Sequence, residues 1–134
     1  MKKLICVFIL VLVMPSVLGQ EKNQIREFDT NFAHVVYIWL KNPDSESDRA
    51  TFEASLNKFL KNSKFAKTNF VGTPPKAVRD VVDDSFTYNL IVTFESAEAQ
   101  EGYQNEQPHL TFIEECKDLW KKVVVYDAMG LNNK

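Results

Sequence analysis

Cysteine and histidine are scarce in this chain of 134 residues, two of each. Two cysteines cannot build a disulfide framework, and no Cys/His cluster has zinc spacing, so neither a metal nor a cofactor is expected. A surplus of positive charge is missing as well. Sixteen Lys and Arg face eighteen Asp and Glu, a formal net charge of −2. That balance argues against a nucleic-acid partner, whose binding needs clustered cations. What is present is 45% apolar and 25% charged residues, the make-up of one folded domain with room for a single core.

One long apolar run occurs, Leu4 to Met14, behind Lys2 and Lys3 and ahead of Pro15-Ser16-Val17-Leu18-Gly19-Gln20. A positive start, a short apolar stretch and a small-residue end are the layout of a secretory signal peptide. The run is too short to cross a hydrocarbon core of roughly 30 Å as a permanent helix. Residues 1–19 are therefore expected to be a signal cut after Gly19 or Gln20, against the alternative of an uncleaved N-terminal anchor. Cleavage predicts an exported protein, periplasmic or extracellular, without a stable membrane anchor. Loss of Lys2 and Lys3 takes the net charge from −2 to −4 and leaves Cys116 as the one cysteine, either buried or paired between chains.

Residues 20–33 read as a polar leader, residues 34–128 as the folded domain and residues 129–134 as a tail. His34 to Leu40 is dominated by β-branched and aromatic residues, a strand buried on both faces or nearly so, ended by Asn42-Pro43. Ser45 with Asp48 is an N-cap signal, and Phe52, Leu56, Phe59 and Leu60 form one helical stripe. A strand over Phe65 to Val71 stops at Gly72-Thr73-Pro74-Pro75, and Phe86 to Phe94 is the clearest strand in the chain. A helix from Ser96 to about Tyr103 breaks before Pro108, because the residue ahead of a proline avoids helical geometry. A second helical segment carries Leu110, Ile113, Cys116 and Trp120, and Val123 to Tyr126 lies in a final strand.

The order β-α-β-β-α-β predicts a ferredoxin-like α+β domain, a four-stranded antiparallel sheet with helices on one face. Strands apolar nearly throughout need cover on the other face too. A homodimer through the sheet face supplies it.

His34-Val35-Val36, Gly72, Phe94-Glu95, Tyr103 with His109, and Val124-Val125-Tyr126-Asp127, taken in that order, together resemble the stress-responsive A/B barrel (Dabb) family. The resemblance implies a dimeric α/β barrel of two ferredoxin-like sheets. It also implies carbonyl chemistry, since a plant polyketide cyclase of the family closes its substrate with a Tyr and a His. Tyr103 and His109 keep that Tyr-x5-His spacing, and His34 matches a first-strand histidine. The chain departs from the family's His-Pro-x-His, reading Glu106-Gln107-Pro108-His109.

Imidazole is the side chain suited to taking a proton next to a carbonyl near neutral pH. His109 falls at the start of a helix, where the dipole disfavours the imidazolium and keeps the ring neutral. Tyr103 could donate a hydrogen bond to the developing enolate. On a straight helix the two would point about 120° apart, so the Pro108 break must unite them. His34 is expected to contact substrate, and Arg79 either ties down its own loop beside Asp80 or takes a substrate carboxylate. Asp80, Asp83 and Asp84 lack the glycine and terminal Glu of a calcium loop and are expected to be solvated. Trp39 and Trp120 are expected to pack in the core or the dimer. Two functions follow as expectations: binding or conversion of a small apolar carbonyl compound in a barrel cavity, or a non-enzymatic stress-response role as a stable dimer.

Overall fold

The computed structural model describes residues 27–131. The expected signal peptide and its cleavage point lie outside them, as do the last three residues. Seven elements follow in order: β1 (Phe32–Leu40), α1 (Glu46–Asn62), β2 (Thr68–Gly72), β3 (Tyr88–Phe94), α2 (Ala97–Asn105), α3 (Gln107–Cys116) and β4 (Trp120–Met129). The strands form one antiparallel sheet in the order β2-β3-β1-β4. This is the ferredoxin-like plan, with the first strand inside the sheet and the helices on one face.

The expected barrel is corrected here. The sheet is open: β2 and β4 lie at opposite edges, each paired on one side only. Closing a sheet around a filled interior takes about eight strands. Four strands twisted beneath a single helix layer leave two free edges instead.

β1 alternates along its length. Phe32, His34, Val36, Ile38 and Leu40 are buried beneath the helices, while Ala33, Val35, Tyr37 and Trp39 are half-buried on the other face. A strand period of two makes this division. α1 contributes Phe52, Leu56 and Phe59 to the core as its spacing predicts, and its N-cap is Ser45, whose Oγ accepts the Asp48 N–H at 3.2 Å. β4 is the exception to the expected burial. Val123, Val125 and Tyr126 are all exposed.

Two strands begin later than their composition suggests. Ser63 Oγ accepts the N–H groups of Phe65 and Ala66, which ties these residues into the turn after α1 and delays β2 to Thr68. Phe86 stays outside β3 and sets its ring against Tyr37, centroids 5.0 Å apart. The 73–87 connection is held by its acids: Asp84 Oδ2 accepts the Ala77 N–H and Asp83 Oδ1 accepts the Ser85 N–H, each at 2.8 Å. At the far end of the sheet, the Gly130 N–H donates to the Asn31 carbonyl at 2.7 Å. A Cβ at Gly130 would sit 2.1 Å from the Thr30 carbonyl oxygen, so only glycine permits that approach.

Candidate functional site

Glu106 makes the break between the two C-terminal helices. Its backbone is extended, φ −72° and ψ 147°, which ends α2 and opens α3 with Pro108 in the first turn. The extended residue is thus one place earlier than expected, and Gln107 already belongs to α3. Proline tolerates the first helical turn because its missing N–H would have no partner there. The Glu106 carboxylate then accepts hydrogen bonds from Ser63 Oγ and from the Lys64 N–H, the latter at 2.9 Å. The bend is thereby fastened to the C-terminal end of α1.

This fastening decides where the aromatic side chains go. Tyr103 and His109, from either side of the bend, meet with ring centroids 5.0 Å apart. Phe59 of α1 lies against both, at 5.3 Å and 5.2 Å. His34, rising from β1, stands edge-on to Tyr103 at 5.6 Å, and Phe94 of β3 completes the cage at 5.0 Å from Tyr103. The structure therefore unites three of the four expected site residues. Arg79, the fourth, is exposed in the 73–87 connection and takes no part in this cluster.

Electrostatics differ from ring to ring. Tyr103 is 1% exposed, and burial pushes its phenol far above the usual range, with the Glu106 and Asp127 carboxylates adding to the rise. His109 is half-buried, and desolvation lowers its affinity for a proton. The Gln104 carbonyl, 2.9 Å from Nδ1, and Glu106 oppose that shift, while His34 assists it. Burial thus acts in the direction expected of the helix start, disfavouring the imidazolium. Because a carbonyl only accepts, Nδ1 carries the proton and Nε2 bears the free lone pair.

Sequence reasoning gave no role in the site to Asp127, Phe59 or Glu106. Asp127 Oδ1 lies 2.6 Å from His34 Nδ1, across the β1–β4 register that sets these two residues opposite each other. An acid directly after the apolar run Val123 to Tyr126 was the available signal, but the register was needed to give it a partner.

Cavities of about 250–460 Å³ among the described residues are lined by other side chains. Two of them adjoin the bend, a groove between α1 and α3 lined by Phe59, Pro108 and Phe112 and another lined by Phe65, Gly102, Glu106 and Pro108, and neither is lined by His34, Tyr103 or His109. The His34 and Tyr103 rings are packed against protein, and His109 is half-exposed at the bend.

The stress responsive A/B barrel domain model matches residues 32–129. The chain belongs to that family. A search of curated proteins finds no match. Among solved structures, a hydroxynitrile lyase from Passiflora edulis is similar at 20% identity, with TM-score 0.64 over 79% of this chain and 98% of its own. A Dabb family protein from Mesorhizobium loti with a ferredoxin-like fold gives 16% identity and TM-score 0.62, covering 75% and 96%. A dimeric ferredoxin-like protein of unknown function from Thermobifida fusca gives 10% identity and TM-score 0.60, covering 78% and 95%. At these identities the likeness is one of fold. No helix among the described residues is long and apolar enough to cross a membrane.

Proposed function

We propose that this Dabb protein is a non-catalytic, exported stress-response protein that works as a stable homodimer joined through its open sheet face. The burial of Tyr103 at 1% exposure, its ring enclosed by His34, Phe59, Phe94 and His109, carries the non-catalytic reading. Self-association rests on the uncovered face, where Val35, Tyr37, Ile91, Phe70 and Tyr126 share one side by register. Phe70 and Tyr126 are 49% and 62% exposed, a clustering that a lone soluble domain rarely keeps. The Thermobifida relative is itself described as dimeric. Export rests on the Lys2-Lys3 start and the apolar run that follows it.

A second reading assigns His109 as base and Tyr103 as donor toward a small apolar carbonyl compound. It is favoured by the 5.0 Å approach of a neutral imidazole to the tyrosine. One set of measurements separates the two. Light scattering on the chain from Gln20 onward should give twice the monomer mass, and Ile91→Asp should halve it. The chain should lose no 2-heptanone-type ketone from solution and bind none. A monomer at millimolar concentration defeats the dimer, and saturable ketone binding abolished by His109→Ala transfers the case to the second reading.

A further inference from the structure

β2 and β3 are antiparallel neighbours, yet fifteen residues, 73–87, join them. A hairpin takes about two to five, and a much longer connection without helix or strand is usually either functional or disordered. This one is braced. Asp84 Oδ2 accepts the Ala77 N–H at 2.8 Å, and the Arg79 carbonyl accepts the Val82 N–H at 3.0 Å. The braced turn presents Val78 and Val81, which are 88% and 86% exposed. Two bare valines on an ordered turn make an apolar knob that needs little further ordering on contact.

The connection also borders the uncovered sheet face. On its way back into β3, Ser85 Oγ accepts the Trp39 indole N–H at 3.1 Å, and Phe86 stands edge-on to Tyr37 at 5.0 Å. Tyr37 in turn meets Tyr126 of β4 at 6.3 Å. Beside this returning limb lies a recess of about 410 Å³, lined by Tyr37, Phe86, Val124 and Tyr126. Among the paired positions, the register places one charged side chain on this face, Lys122. Its Nζ lies 4.4 Å from the centre of the Trp39 ring. One end of the face therefore carries a knob, a recess and a single charge.

Two copies stacked on this face are related by a two-fold axis lying between their sheets. With that axis along the strands, β2 and β3 of one copy face β4 and β1 of the other at the same end. The 73–87 connection of each copy then passes over the recess of its partner. We propose that the connection is a reciprocal clasp, in which Val78 and Val81 of one copy seat in the partner's recess. The clasp rests on the homodimer proposed above and adds the contact that aligns its two sheets.

Sedimentation equilibrium on the chain from Gln20 onward, together with a disulfide trap, tests this. Val78→Asp combined with Val81→Asp changes only exposed positions outside the strands. It should weaken dimerisation about ten-fold or more, whereas Leu110→Asp, exposed on α3, should not. Oxidising Val81→Cys chains mixed with isotope-labelled Val124→Cys chains should give a covalent dimer with the mass of the mixed species. Leu110→Cys in place of Val124→Cys should give none, and Cys116 is buried and stays out of the reaction. An unchanged dissociation constant in the double variant, or no mixed covalent dimer, overturns the clasp. If Ile91→Asp is monomeric in the same runs, the sheet-face dimer survives that failure. A monomeric parent chain, or an Ile91→Asp chain that dimerises as well as the parent, overturns the dimer and the clasp with it.

Discussion

His34 Nδ1 and Asp127 Oδ1 lie 2.6 Å apart, joining the middle strand of the sheet to its edge by a side-chain bond beneath the helices. The histidine side chain is 7% exposed and the aspartate 40%, so the pair runs from the core to the rim. Replacing Asp127 by Ala leaves a buried N–H without its acceptor. We expect a loss of about 1–2 kcal/mol, measured by urea unfolding at pH 7. Asp127→Asn, which keeps an acceptor oxygen, should recover part of it.

Glu106 ties the α2–α3 bend to α1. Glu106→Ala removes the acceptor for Ser63 Oγ and the Lys64 N–H, and should cost about 1–2 kcal/mol. Because the bend sets Tyr103 against His109, the near-ultraviolet circular dichroism of the tyrosine should fall as well. A variant of unchanged stability and unchanged spectrum would show that proline alone holds the bend.

His109 makes stability depend on pH with a definite sign. Its native affinity for protons is below the ordinary value of about 6.5. Between that value and the lower native one, the unfolded chain binds more protons than the folded one. Stability therefore rises with pH through this window and is lost as pH falls. Unfolding free energies measured from pH 7.5 to 5 should show this slope, and His109→Gln should flatten it.

Cys116 is fully buried, and burial raises its thiol above the usual range. The expectation left open by the sequence is settled toward burial. In the chain from Gln20 onward, an aromatic disulfide reagent should label no thiol in buffer and one thiol in 6 M guanidinium. Rapid labelling of the folded protein would place Cys116 at a surface.

The parts of the fold legible in the sequence were those carried by local periodicity. The α1 stripe of Phe52, Leu56 and Phe59, the Ser45 cap and the break before Pro108 needed no knowledge of neighbours. Strand starts were less legible, because Ser63 captures Phe65 and Ala66 through its hydroxyl, a contact that no β-propensity records. The closed barrel was inherited from a family resemblance, and it yielded to the pairing pattern of four strands with two unpaired edges. Site residues divided the same way. Tyr103 and His109 were found by spacing and His34 by position, whereas the roles of Asp127 and Phe59 depended on register and packing across distant segments.

The hydrogen bond between Asn31 and Gly130 brings the two ends of the described domain to one corner. The chain is thus nearly a loop already, and its natural opening is topologically arbitrary. A few residues bridging that corner, with new termini cut in the exposed stretch around Val78 and Val81, would give a circular permutant that keeps every strand pairing intact.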